Sequence, residues 1–218
     1  MAQIFPKWTN YIPLIGGAVA PLALGTVVAA FWYWGSPWFT DVGYAPTQPI
    51  PYSHKLHVGD LGLDCRYCHN TVEHASRAAI PPTATCMNCH ANVLKESPRL
   101  APLREAMATD QPVPWIRIHQ LPDYAYFDHS VHVAAGVGCA TCHGRVDQMA
   151  VVSLHAPLSM SWCLDCHRDP VPSLRPPSQV TNMAWDKDTA NYDPARDPER
   201  KRPVTELHPP LHCTGCHR

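Results

Sequence analysis

The 218-residue sequence carries almost no net charge, 17 Lys plus Arg against 18 Asp plus Glu for a formal −1 at pH 7. That balance argues against the basic face a nucleic-acid partner needs. No cysteine is spare. All ten fall in five C-x-x-C-H motifs, which leaves none for an independent disulfide framework or a lone nucleophilic thiol. No charged side chain occurs from Tyr11 to Trp34, so nothing in that stretch resists burial in lipid. Long helices are scarce beyond it, because the 24 prolines are about twice the usual share. The expected fold is mainly α with extensive irregular chain.

What the chain does have is a duplicated cassette. Tyr52-Ser53-His54-Lys55-Leu56-His57 precedes Cys65-Arg66-Tyr67-Cys68-His69 and Cys86-Met87-Asn88-Cys89-His90. The copy runs from Phe127-Asp128-His129-Ser130-Val131-His132 through Cys139-Ala140-Thr141-Cys142-His143 to Cys163-Leu164-Asp165-Cys166-His167. A fifth motif, Cys213-Thr214-Gly215-Cys216-His217, follows near the end.

C-x-x-C-H is the signature of covalent c-type haem attachment. Two thiols three positions apart form thioethers to one porphyrin edge, and the adjacent imidazole becomes the proximal iron ligand. Zinc sites would have to combine cysteine pairs and give no reason for a histidine after every second cysteine. The sequence therefore predicts five haems c, held by Cys65 and Cys68, Cys86 and Cys89, Cys139 and Cys142, Cys163 and Cys166, and Cys213 and Cys216. The proximal ligands are His69, His90, His143, His167 and His217.

Nine further histidines remain for distal positions, a surplus that suits six-coordinate, electron-transferring iron. His54, His57, His129 and His132 rank first because they share spacing and place in the repeat, and the isolated His119 follows. Met149 and Met160, between the two motifs of the second cassette, are lower-ranked distal ligands that would raise a haem's potential, or else core filling. His74, His155, His208 and His212 are expected at propionates or in solvent. Arg66, Arg145 and Arg168, each beside a motif, are placed either to pair with propionates or to lie solvated at the surface. No separate catalytic constellation is visible, and no motif replaces its histidine with lysine. Electron transfer, not catalysis, is the expected role.

The charge-free run is long enough to cross a hydrocarbon layer about 30 Å thick. Trp8 and Tyr11 at one edge, and Trp32, Tyr33, Trp34 and Trp38 at the other, suit the two interfaces. The run is long for the apolar core of a cleaved signal, which favours an anchor. Its glycines and prolines point to membrane-embedded partners. Covalent haem attachment is generally completed outside the cytoplasm, so the expected topology is single-pass with a cytoplasmic N-terminus. The expected organisation is a cytoplasmic N-terminus over 1–10, a transmembrane anchor over 11–34 and an extended connector over 35–51. A first dihaem block over 52–110 and a second over 111–175 follow, with a C-terminal arm carrying the fifth haem over 176–218. The polar stretch from Asp186 to Arg202 reads as disordered or as a partner-wrapping segment.

The H-x-x-H pairs ahead of C-x-x-C-H resemble class III multihaem cytochromes c. The motif order, with Arg117-Ile118-His119-Gln120-Leu121-Pro122-Asp123, Trp162 to Arg168 and the terminal Cys213 to Arg218, is similar to the pentahaem subunit of alternative complex III, a bacterial quinol-oxidising membrane assembly. That resemblance implies a haem domain outside the bacterial inner (cytoplasmic) membrane. It implies electrons arriving from integral-membrane quinol-oxidising and iron–sulfur subunits and leaving to a monohaem cytochrome c or a terminal oxidase. The other family it resembles, the small membrane-anchored tetrahaem quinol dehydrogenases that feed a periplasmic reductase, has a similar anchor but fewer motifs.

Overall fold

The structure, a computed structural model, describes residues 4–217. Residues 1–3 of the expected N-terminal segment and Arg218 of the terminal motif stretch lie outside the described residues. The chain divides into two units, one up to Asp41 and one from Val42 onward.

The first unit is dominated by α1 (Ile12–Trp34), 23 residues and therefore about 35 Å long. Pro13 occupies the first turn, where its missing N–H costs nothing. Pro21 sits inside the helix, and the Gly35 N–H closes the end on the Phe31 carbonyl at 2.9 Å. No residue of α1 is buried, and Leu14, Leu22 and Phe31 are each more than 70% exposed. Among the described residues this is the one helix long and apolar enough to cross a membrane. A short helix, α2 (Pro37–Thr40), follows it.

The second unit is irregular chain punctuated by short helices. These are α3 (Cys65–Cys68), α4 (Thr83–His90), α5 (Ala101–Thr109), α6 (His129–Ala134), α7 (Cys139–His143), α8 (Met160–Arg168), α9 (Lys187–Ala190) and α10 (Cys213–Cys216). Prolines break much of the chain between them, and Gly136 and Gly144, both at positive φ, follow α6 and α7. Among the described residues, extended pairing is confined to two bridges, Ala125 with His217 and Val137 with Leu174.

The polypeptide core is small, with only nine buried apolar side chains among the described residues. Ile50, Leu103, Ala106 and Val113 form one cluster, with Cys86, Met87, Leu100 and Trp115 packed against it. So few side chains would leave the unit poorly filled unless other apolar matter completes its interior.

The cassettes are laced together. In the first, residues Lys55–Asp60 make a π-helical turn, and the Lys55 N–H donates to the Met149 carbonyl of the second at 3.0 Å. In return, the His129 N–H donates to the Ser76 carbonyl at 3.1 Å. A strap over 174–183 crosses both: the Cys139 N–H donates to the Val180 carbonyl at 3.0 Å, and the Thr181 hydroxyl donates to Asp64 at 3.0 Å. Leu174, Val180 and Met183 anchor the strap in the interior.

The polar stretch from Asp186 to Arg202 is tied down rather than left loose. The Asp186 carboxylate caps α9, the Tyr192 hydroxyl donates to Asp197 at 2.7 Å, and Arg200 donates to the Ala135 carbonyl at 2.8 Å. Some of its charges find partners nearby and others, Arg200 and Glu199, find them on distant segments.

Candidate functional site

Each C-x-x-C segment forms one helical turn: α3, the last turn of α4, α7, the middle of α8, and α10. A helical turn puts residues three apart on one side, so each pair of thiols faces a common direction. Asp64 and Ser159 cap their motif helices by accepting from the Arg66 and Trp162 N–H groups.

In four of the five motifs a backbone carbonyl aims the histidine after the pair. Nδ1 lies within hydrogen-bond distance of a carbonyl in His69 (Ala79, 2.7 Å), His90 (Val93, 3.0 Å), His167 (Pro210, 2.9 Å) and His217 (Tyr124, 3.2 Å). A ring that donates from Nδ1 keeps Nε2 unprotonated and free to bind metal. Burial, then His119 and His129, push the His143 pKa down to about 3.

The H-x-x-H pairs repeat one device. His57 Nδ1 meets the Ser53 carbonyl at 2.8 Å, and His132 Nδ1 meets the Asp128 carbonyl at 2.6 Å, four residues back in both cases. Tyr52 stacks on His57 at 4.4 Å and stands edge-on to His54 at 4.8 Å. Phe127 does the same to His132 at 4.5 Å and to His129 at 4.8 Å. Sequence reasoning gave these aromatics no role, although both open their repeat at the same offset. Burial, then the nearby Cys68, Cys86 and Cys65, raise the Tyr52 phenol, which keeps it neutral.

Among the described residues no three His, Cys, Asp or Glu side chains gather at a common point; the imidazoles meet in pairs instead. His57 and His90 have ring centres 6.2 Å apart, His129 and His143 6.4 Å, and His132 and His167 6.1 Å. Two imidazoles bound to one metal from opposite sides, with bonds of about 2 Å and about 1 Å more to each ring centre, hold those centres about 6 Å apart. The donor pairs thus fit an iron between them.

His54 lies beside His69. Burial, then His69 and His57, lower its pKa to about 4, and its Nδ1 is buried without a hydrogen-bond partner. His119 is also buried, its Nε2 without a partner, and its pKa is lowered to about 4 by burial and then by His129. Its ring centre lies 4.3 Å from that of His143, in packing contact and too close for an iron between them. His54, His119 and His143 are thereby held neutral near pH 7, the form that ligates metal. His217 faces the Tyr124 ring at 5.8 Å.

Met160 is 67% exposed at the start of α8, and Met149 is half-buried with its carbonyl engaged by Lys55. His74, His155, His208 and His212 are exposed. Arg66 pairs with Asp64 at 2.9 Å and Glu73 at 3.3 Å, Arg145 with Asp147 at 2.7 Å, and Arg168 with Asp165 at 3.0 Å. These arginines therefore have carboxylate partners within the chain.

The sulfurs connect the motifs. The Cys65 thiol hydrogen-bonds to Cys139, which raises the first and lowers the second. Cys68 and Cys86 lie close enough to act on each other electrostatically, as do Cys142 with Cys166 and Cys163, and Cys163 with Cys216. The motifs therefore adjoin in the order second, first, third, fourth, fifth.

Helical C-x-x-C-H turns with backbone-aimed imidazoles, facing further imidazoles at iron-bridging distance, define a multihaem c-type cytochrome. No protein-family model matches the sequence. Over 168 residues the chain is 34% identical to the menaquinone reductase multihaem cytochrome c subunit of Nitratidesulfovibrio vulgaris Hildenborough, across 76% of this chain and 72% of that one. The chain belongs to this family of multihaem cytochrome c subunits.

Proposed function

We propose that the protein is a non-catalytic electron conduit with five haem sites, anchored by α1 as a single span in a bacterial inner membrane. Its haem unit faces the extracytoplasmic side and its N-terminus faces the cytoplasm. The observation that carries this reading is the unbroken run of neighbouring motifs, 86–90, 65–69, 139–143, 163–167 and 213–217, joined through Cys68 and Cys86, Cys65 and Cys139, Cys142 and Cys166, and Cys163 and Cys216. Bound haem supplies one-electron chemistry at each site. The chain's own residues hold each site at a fixed separation and exclude water with the stacked Tyr52 and Phe127.

In this reading His54 is the distal ligand partnering His69, His57 partners His90, His129 partners His143, and His132 partners His167. The first histidine of each pair serves the near motif and the second the remote one. His119 is the remaining buried candidate, and Met149 and Met160 rank below it. The six segments expected from sequence remain the working division of the chain.

As a subunit of alternative complex III, the protein would take electrons from integral-membrane quinol-oxidising and iron–sulfur subunits and deliver them to a monohaem cytochrome c or a terminal oxidase. A second reading reverses the flow, from a reduced donor into the quinone pool. It is supported by the relative, which is named a menaquinone reductase. Purification in mild detergent, followed by addition of quinol or of a reduced soluble donor, tests both. Haem reduction by quinol only in the co-purified assembly supports the first reading, and reduction only by the soluble donor supports the second. Quinol oxidation by the isolated chain would overturn the conduit.

A further inference from the structure

Arg175 is the one charged residue that is buried among the described residues, with 7% of its surface exposed. It belongs to the strap over 174–183, and its position is fixed several times over. Its N–H donates to the Gly136 carbonyl at 2.9 Å, its Nη1 donates to the Asn182 carbonyl at 2.8 Å, and its guanidinium lies 5.0 Å over the Trp185 ring.

Space for the guanidinium comes from Gly138, where an added Cβ would collide with Nε, Cζ and Nη2 of Arg175. Gly138 has φ −71° and ψ 142°, a conformation open to any L residue. The glycine is therefore required by the arginine and not by the backbone.

Burial of a cation normally demands a carboxylate partner, and the described part of the chain supplies none. Its Nε is buried without an acceptor. It lies against the first cysteine of the third motif, where the two cassettes meet through Cys65 and Cys139. The equivalent place in the first cassette, before Cys65, holds Asp64, which Arg66 and Thr181 neutralise. The duplicated motifs thus differ most in charge at the point where they touch.

We propose that Arg175 is a positioning residue of a particular kind, a fixed buried charge that raises the reduction potential at the junction of the cassettes, most strongly at the Cys139–His143 site. An electron added to a centre in a low-dielectric interior is stabilised by a cation held nearby. The fixed charge therefore favours the reduced site over the oxidised one. The same charge makes the junction an electron-holding point between the two cassettes.

The inference rests on reading these motifs as haem attachment sites. The test uses the full-length, haem-loaded protein, with covalent haem counted chemically and each site's potential followed by absorbance and electron paramagnetic resonance. In Arg175→Met, one site is expected to lose at least tenfold in its reduction equilibrium, a downward shift of 59 mV for one electron, with smaller shifts at the remaining sites. Arg175→Lys, which keeps the charge, is expected to restore the potential.

Gly138→Ala displaces the guanidinium through a backbone-compatible methyl group and is expected to lower the same site by a smaller amount. It decides the matter if Arg175→Met loads haem poorly. Unchanged potentials in haem-replete Arg175→Met or Gly138→Ala, or an equal shift in Arg175→Lys, would overturn the proposal. A protein without covalent haem would instead overturn the underlying reading of the motifs.

Discussion

Replacing His132 with alanine is expected to leave His167 without its facing ring, now 6.1 Å away. One haem site of five should then pass from low-spin to high-spin, so roughly one fifth of the low-spin resonance is lost and about one equivalent of carbon monoxide binding is gained. A stability cost accompanies this. The ring's hydrogen bond to the Asp128 carbonyl is worth about 1 kcal/mol, and its stacking on Phe127 about 1 kcal/mol more. At about 2–4 °C per kcal/mol for a chain of this size, the midpoint should fall by roughly 4–8 °C, with the lost iron bond adding to that. His57→Ala should behave in the same way, because Tyr52 stacks on it at 4.4 Å where Phe127 stacks on His132 at 4.5 Å. His208→Ala, at an exposed ring, is the control. Five low-spin haems persisting in haem-replete His132→Ala would refute the pairing.

Phe127→Ala should cost about 2 kcal/mol by removing a ring from a partly buried site. It should also broaden the spectra of the two sites served by His129 and His132, with Tyr52→Ala doing so for His54 and His57. Gly144, with φ 66° and ψ −164°, follows His143 in backbone that only glycine adopts easily and packs under the His155 ring. Gly144→Ala should lower the melting point of the loaded protein by the equivalent of about 1–3 kcal/mol; an unchanged melt would count against that strain. Hydrogen bonds from Arg66 hold the Asp64 carboxyl down to about 2. Its contribution is therefore present above the unfolded value of about 3.9 and lost as pH falls through about 2. Asp64→Asn should flatten the acid limb of stability between about pH 4 and pH 2 in urea titrations, and an identical limb would contradict the pairing.

The haem chemistry was legible because it is local. A thiol pair and the imidazole after it share one helical turn, so spacing alone specifies the donor set. The repeat was legible for the same reason, and it carried the aromatic openers Tyr52 and Phe127 in plain view without disclosing that they clamp the histidines behind them. What spacing could not supply was partnership across the chain. Nothing in the sequence ties His57 to His90 rather than to His69, or brings Cys65 against Cys139, because those contacts depend on how the cassettes lace together. Nor could composition distinguish the arginines. Arg66, Arg145 and Arg168 stand beside motifs yet are paired with nearby carboxylates, whereas Arg175, in a proline-rich stretch, is the one carried inside.

The strap over 174–183 has a consequence for manufacture. It is synthesised after both cassettes, yet it supplies Val180 to Cys139, Thr181 to Asp64 and the guanidinium that fills the space at Gly138. The junction therefore cannot close before residues 174–183 have emerged. Until then the Cys139 N–H lacks its Val180 acceptor and Asp64 its Thr181 donor.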